Sequence, residues 1–312
     1  MTIQGPVSSP HSGSTIERDS KPTIDALGTP YHALSWTSAD GLRLAARDYG
    51  DLGSARPPLV CLAGLTRNAR DFEPLAAHLV PLGYRLIAPD SRGRGRSDWD
   101  PSPERYIPKI ELDDALTLID GLGITRVSLF GTSRGGLLAM LAATARPGFI
   151  DRTILNDIGP QIELGGLLKI KNYVGRDLGD MTWEQGVFAL SISLGKSYPR
   201  LDHAGWTRYA RRLWRDQGGK PVNDYDPAIG LGFAGITEAT KLYEPWDEFA
   251  ALAEAPILVL RGSLSDILSA EGVAEMQRRF PAVESLEVPD EAHVPLLEDS
   301  LTLDRITAFL NG

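Results

Sequence analysis

The chain has 312 residues, of which 42% are hydrophobic and 23% charged, which is enough apolar material for one large core. Its formal charge of −9 argues against a nucleic-acid-binding protein or a protein that binds anionic membranes. The single cysteine, Cys61, lies in an apolar run and has no partner for an intramolecular disulfide, so we expect a reduced thiol and a cytoplasmic protein.

The N-terminal segment, residues 1–30, is rich in Ser, Pro, Thr and Gly and has no apolar periodicity, which predicts a flexible tail. It lacks the basic and apolar regions of a signal peptide, and no stretch of the chain has transmembrane length. We therefore expect neither a signal peptide nor a membrane segment. The fold is predicted to begin near Tyr31 with two strands around a turn at Asp40-Gly41.

Short apolar runs then alternate with segments whose apolar residues recur at helical spacing. The alternation returns after residue 255 and continues to the end of the chain. Strands are predicted at about 58–63, 85–88, 127–131, 153–157, 256–262 and 283–288. This order predicts an α/β protein with a mostly parallel sheet and helices on both faces.

The alternation is interrupted between Ile162 and Trp246, where helical pieces carry many aromatic side chains and no clear buried strand. We interpret residues 161–246 as a helical cap inserted into a core that is formed by residues 31–160 and 247–312. Most of these aromatic side chains are expected to form the core of the cap. Trp183 and Trp206 are candidates for facing a site beneath it.

A serine stands between two glycines at the end of one apolar run, in the order Gly131-Thr132-Ser133-Arg134-Gly135, and good helix formers follow at once. A strand, a sharp turn and a helix are therefore predicted. The turn would hold the Ser133 hydroxyl clear of the sheet at a helix N-terminus, where backbone N–H groups favour negative charge. Such a serine suits nucleophilic catalysis if a base and an acid lie nearby.

This pattern resembles the nucleophile elbow of the α/β-hydrolase superfamily, in which an acid and then a histidine follow the serine along the chain. The resemblance implies that His293, in the loop before the last helix, is the general base. The acid is expected to be Asp266, in the loop after the preceding strand. Asp157, at the end of the sixth predicted strand, is the alternative acid.

The same resemblance implies an oxyanion hole built from two backbone N–H groups, those of Leu65 and Arg134. Many superfamily members have His-Gly at the first position, where this chain has Ala63-Gly64, so the backbone donor remains without the imidazole. The side chain of Arg134 is expected either to face an acidic group of the substrate or to form an ion pair.

No cofactor and no metal are expected. The run Gly230-Leu231-Gly232-Phe233-Ala234-Gly235 matches a dinucleotide fingerprint, but polar residues rather than a strand precede it. No His or Cys cluster has metal-ligand spacing. The arginines of residues 92–105 alternate with aspartates and have no accompanying aromatic platform, which argues against nucleic-acid binding.

Together these features predict a serine hydrolase that cleaves a small-molecule carboxylic ester through an acyl-enzyme. The triad is expected to be Ser133, His293 and Asp266. The alternatives are a C–C bond hydrolase of aromatic ring-cleavage products and a lactonase. A small-molecule receptor on the same fold is the alternative outside catalysis. The sequence leaves the substrate and the oligomeric state open, including a homo-oligomer.

Overall fold

A computed structural model describes residues 15–312, and the first fourteen residues of the predicted tail lie outside the described part. The elements in chain order are β1 (Glu17–Arg18), β2 (Thr23–Ile24), β3 (Pro30–Thr37), β4 (Arg43–Tyr49), β5 (Leu59–Leu62), α1 (Glu73–Leu79), β6 (Leu86–Asp90), α2 (Pro108–Gly121), β7 (Val127–Thr132), α3 (Arg134–Ala145), β8 (Ile150–Asn156), α4 (Leu164–Tyr173), α5 (Trp183–Leu194), α6 (His203–Leu213), β9 (Trp214–Gln217), β10 (Lys220–Asn223), α7 (Trp246–Leu252), β11 (Ile257–Gly262), α8 (Ala270–Arg279), β12 (Glu284–Val288) and α9 (Ser300–Asn311).

Ten of these strands form one sheet in the order β1-β3-β4-β6-β5-β7-β8-β11-β12, with β2 also paired to β3. All neighbouring pairs from β6 to β12 are parallel, whereas β3, β4 and β6 pair antiparallel. The predicted α/β class with a mostly parallel sheet is therefore confirmed. The carboxyl ends of β5, β7, β8, β11 and β12 share one edge, where loops can bring side chains together.

Strands β5, β6 and β7 are buried at every position because both faces of the sheet are covered. In β5, Leu59 and Cys61 belong to the core cluster on one face, and Val60 and Leu62 to the cluster on the other. Helices α1 and α9 pack on the first face, and α2, α3, α7 and α8 pack on the second. Within residues 15–312, no helix combines the length and the apolar character needed to cross a bilayer.

The prediction of a tail that extends to residue 30 is wrong for residues 15–30. Strands β1 and β2 pair antiparallel with β3, and the Asp19 N–H donates to the Ala33 carbonyl at 3.0 Å. Arg18 also pairs with the fully buried carboxylate of Asp48. The sequence did not predict these strands because the segment is polar. Backbone pairing and the ion pair of Arg18 with Asp48 hold it in place, rather than the burial of apolar side chains.

We keep the name cap for residues 161–246, which contain α4, α5, α6 and the hairpin β9-β10. The hairpin was not predicted because its strands are largely polar and exposed, and their turn consists of Gly218 and Gly219 at positive φ. The fingerprint-like run overlaps a 3-10 helix, Pro227–Phe233, with no strand before it. Its geometry is therefore unlike that of a dinucleotide-binding turn.

Candidate active site

Ser133 occupies a sharp turn between β7 and α3. Its backbone has φ 50° and ψ −115°, a left-handed conformation that side chains rarely adopt. Arg134 is the first residue of α3, so its N–H belongs to the helix turn whose donors have no intrahelical acceptor. Strain of this kind costs on the order of 1–3 kcal/mol and concentrates at functional sites.

The glycines around this serine are required by close backbone contacts. A Cβ built on Gly135 would lie 2.0 Å from the Leu62 carbonyl oxygen at the end of β5. A Cβ built on Gly131 would lie 2.6 Å from the Cα of Gly136. Any larger residue at either position would push α3 away from the sheet, and Ser133 would move with it.

His293 connects the serine to an acid. The Ser133 Oγ lies 2.8 Å from Nε2 of His293, and Nδ1 of the same ring lies 2.7 Å from Oδ2 of Asp157. An ionised carboxylate only accepts hydrogen bonds, so we assign the proton to Nδ1. Nε2 is then free to accept from the serine hydroxyl, which is the arrangement that a general base needs.

Asp157 follows β8 directly and has φ 58°. Its N–H donates to the Leu260 carbonyl at 2.8 Å, which continues the pairing of β8 with β11. Its carboxylate is fully buried. One oxygen accepts from the Gly262 N–H at 2.8 Å, and the other accepts from the Ser265 hydroxyl and from His293. These three donors offset the loss of hydration.

The prediction that Asp266 is the acid beside His293 is wrong. Its side chain is 42% exposed, and one carboxylate oxygen accepts from Lys169 Nζ at 2.7 Å. The neighbouring Ser265 turns inward and donates to Asp157, so the loop after β11 supports the acid instead of supplying it. Asp157, the alternative in the sequence interpretation, occupies the position beside the histidine.

The two predicted oxyanion segments lie on either side of Ser133. A Cβ built on Gly64 would lie 3.8 Å from the Cβ of Ser133, so the turn that carries Leu65 borders the nucleophile. The Leu65 carbonyl accepts from Nε of Arg94 at 2.8 Å. The side chain of Arg134 is buried and forms an ion pair with Glu111, which is the second of the two predicted alternatives.

Comparison with known proteins identifies the family of the chain. The profile of the family described as alpha/beta hydrolase fold matches residues 57–300. The chain belongs to the α/β-hydrolase family. It is 35% identical over 285 residues to a 3-hydroxybutyrate-oligomer hydrolase of Cupriavidus necator, covering 86% of this chain and 93% of that protein.

Two further relatives support the assignment of this α/β-hydrolase. A crystal structure of an alpha/beta hydrolase from Novosphingobium aromaticivorans shares 43% identity, with a TM-score of 0.83 over 90% of this chain and 98% of that one. A 2-(acetamidomethylene)succinate hydrolase of Mesorhizobium japonicum is 28% identical over 82% of this chain and 88% of that protein. The resemblance drawn from the sequence is therefore confirmed, as is the expectation of a hydrolase.

In this α/β-hydrolase, contacts from the sheet and from the cap hold the loop that carries His293. Asn156 Nδ2 donates to the Pro295 carbonyl at 3.1 Å, and the Tyr198 hydroxyl of the cap donates to the Val294 carbonyl at 3.1 Å. Glu291 accepts from the Leu296 N–H at 2.6 Å, and burial raises the pKa of its carboxyl to about 7. The loop is thus held by the end of β8, by the cap and by a hydrogen bond within the loop itself.

A group of polar side chains near Ser133 was not found from the sequence. A Cβ built on Gly64 would lie 3.3 Å from Cγ of Arg67, whose guanidinium binds Asp71 and lies 5.0 Å from the Tyr209 ring centre. Tyr173 is 55% exposed, yet loss of hydration raises the pKa of its phenol, with Tyr209 and Arg67 among its electrostatic neighbours. Arg67, Tyr173 and Tyr209 thus form a group of polar side chains close to the Gly64 turn beside Ser133.

The two candidate tryptophans lie in the core of the cap. Trp206 is 5% exposed and packs edge-on against Tyr198 and Tyr209. Trp183 packs against Trp214, and the Arg211 guanidinium lies 3.6 Å from its ring centre. These contacts support the cap-core alternative for both side chains and make Tyr173 the better candidate for contact with substrate.

Proposed function

We propose that this α/β-hydrolase is a serine esterase that cleaves small carboxylic esters through an acyl-enzyme. The proposal rests on the unbroken hydrogen-bond chain Ser133–His293–Asp157, which is the arrangement that activates a serine hydroxyl. The strained turn at Ser133 and the two flanking backbone segments support it. Asp157 replaces Asp266 in the triad, and the oxyanion donors remain the N–H groups of Leu65 and Arg134.

In the first half-reaction, Nε2 of His293 accepts the hydroxyl proton while Oγ of Ser133 bonds to the ester carbonyl carbon. The carbonyl oxygen becomes an oxyanion that accepts from the two backbone N–H groups, each worth roughly 3 kcal/mol in such sites. The imidazolium then protonates the departing alkoxide, and the acyl group stays on the serine. Asp157 stabilises the imidazolium charge and fixes the ring.

The second half-reaction repeats these steps with water. Nε2 accepts a proton from water, whose oxygen attacks the acyl carbon, and the oxyanion again accepts from the backbone donors. Collapse of this intermediate breaks the bond to Oγ, and the imidazolium returns the proton to Ser133. A carboxylic acid leaves, and the enzyme is restored.

For the substrate, we infer a short ester of a hydroxy acid. One of the relatives described above, 35% identical to this chain, carries the name 3-hydroxybutyrate-oligomer hydrolase, and the match extends over most of both chains. Such an oligomer is joined by ester bonds and has hydroxyl and carboxylate groups. The guanidinium of Arg67 and the phenols of Tyr173 and Tyr209, which lie close to Ser133, supply hydrogen-bond partners for such groups.

A substrate panel tests this function. Linear dimers and trimers of 3-hydroxybutyrate should be hydrolysed with higher kcat/KM than a lactone or a vinylogous diketone, the substrate type of C–C bond hydrolases. The Ser133→Ala variant should lose at least about three orders of magnitude in kcat while keeping its fold.

Preferred cleavage of the diketone or lactone would replace ester hydrolysis with the corresponding alternative. Binding of these compounds without any turnover would instead indicate a receptor. Retention of a tenth of the activity by pure Ser133→Ala would remove the serine from the mechanism.

A further inference from the structure

A buried carboxylate that the mechanism does not use lies between the two oxyanion segments. Glu111, on α2, is 2% exposed. Its Oε1 accepts from Nη1 of Arg94 at 2.8 Å, and its Oε2 forms an ion pair with Nη1 of Arg134. One acidic side chain thus binds one arginine from the loop after β6 and one from the start of α3.

Arg94 links Glu111 to the first oxyanion segment, the turn that contains Leu65. Its guanidinium is fully buried, and Nε donates to the Leu65 carbonyl at 2.8 Å. Nη1 also donates to the Arg92 carbonyl at 2.6 Å, and the guanidinium lies 5.4 Å from the ring centre of Tyr106. Because these contacts leave the side chain little freedom, the peptide after Leu65 is held at a defined place.

Arg134 links Glu111 to the second oxyanion segment, because its own backbone N–H is the other proposed donor. Burial lowers the pKa of its guanidinium to about 10, and the Glu111 carboxylate acts in the opposite direction. Arg134 therefore remains charged at neutral pH. Without Glu111, two buried guanidinium groups would face each other with no carboxylate between them.

We propose that Glu111 is a positioning residue that fixes the Leu65 and Arg134 oxyanion donors relative to each other. This inference rests on the proposed function, because it assigns a task to groups that matter only if an oxyanion forms at Ser133. Glu111 touches no reacting atom and acts through Arg94 and Arg134. Its contribution should consequently appear in the transition state and not in the binding of the ester.

The test is Glu111→Gln in the full-length enzyme, with Asp114→Asn as a matched control. Gln has the size of Glu, but its NH₂ group would face one of the two guanidinium groups as donor to donor. Asp114 lies on the same helix and is also buried, but its partner is Arg92 through bonds of 2.7 and 2.8 Å. The control removes a buried charge without touching either oxyanion segment.

The readout is the Ki of a trifluoromethyl ketone that adds to Ser133 and forms an oxyanion, measured beside kcat, KM and thermal stability. Glu111→Gln should raise this Ki and lower kcat by about tenfold to hundredfold, with KM within about twofold of wild type. Asp114→Asn should leave the Ki within about twofold, whatever its loss of stability. An unchanged Ki for Glu111→Gln, or an equal rise in both variants, would overturn the proposal.

Arg94→Lys provides an independent arm in case Glu111→Gln does not fold. It keeps a positive charge opposite Glu111 but removes the Nε donor to the Leu65 carbonyl, so the Ki should rise by about tenfold. A Ki equal to that of the wild type would overturn the proposal. A wild-type enzyme that neither hydrolyses esters nor binds the ketone would contradict the proposed function, and this inference with it.

Discussion

At the scale of single residues, the candidate site contains two positions with a strained backbone, one serine and one aspartate. Ser133 and Asp157 both have positive φ, and they directly follow the neighbouring parallel strands β7 and β8. The fold thereby places the proposed nucleophile and the proposed acid one strand apart, with His293 hydrogen-bonded to both from the loop after β12. Strain at these two positions costs stability that the surrounding sheet must supply.

The identity of the acid gives a prediction that separates two aspartates. Asp157→Asn should lower kcat by roughly four orders of magnitude, because an amide neither stabilises the imidazolium nor enforces the required tautomer. Asp266→Asn should stay within a few-fold of wild type, because an exposed pair with Lys169 contributes about 0–1 kcal/mol. The measurement is kcat for both variants on one ester, and the reverse order of losses would restore Asp266 as the acid.

At the scale of elements, the cap is tied to the segment that follows the oxyanion turn. Asn68 Nδ2 donates to the Arg212 carbonyl at 3.2 Å and to Asp224 at 3.1 Å. Arg70 donates to the Trp214 carbonyl at 3.2 Å and to Asp224 at 2.7 Å. The first residue of β9 and the residue after β10 are thus bound to the core, which also holds the end of α6 there.

Two cap variants distinguish contact with substrate from packing. Tyr173→Ala, at the end of α4, should change the ratio of kcat/KM between short and bulky acyl groups by about ten- to two-hundred-fold, with little change in Tm. Trp206→Ala, in α6, should lower Tm and depress all substrates together, because truncating a buried tryptophan costs about 3–5 kcal/mol. The measurements are kcat/KM over an acyl-length series and thermal unfolding; a uniform loss for Tyr173→Ala would place that ring in the cap core.

At the scale of the whole molecule, the sequence predicted the elements whose formation depends on the burial of apolar side chains. Strands such as β5 and β7 were found because every residue in them is buried, and the hairpin β9-β10 was missed because its polar strands carry no such pattern. Ser133 and His293 were found from motif and chain order. The carboxylate beside His293 was not, because Asp157 and Asp266 follow adjacent strands and the sequence does not show which of them reaches the ring.

The contacts among the buried side chains of Arg94, Glu111 and Arg134 could not be predicted from the sequence for a similar reason. Arg94, Glu111 and Arg134 are far apart in the chain, and each stands in a segment that reads as ordinary turn or helix. Their contacts depend on how α2 packs on the sheet, and local sequence patterns do not indicate that packing. The proximity of Arg67 to Tyr173 and Tyr209 likewise depends on how the cap packs on the core.

The central claim is that Ser133 carries the acyl group during turnover. Mixing the enzyme with a p-nitrophenyl ester, whose good leaving group makes acylation fast, and quenching in acid should trap that state. We predict a burst of about one equivalent of p-nitrophenol and a mass increase of one acyl group on the peptide that contains Ser133. Turnover without a burst and without added mass on that peptide, or an acyl group found on another residue, would contradict the account.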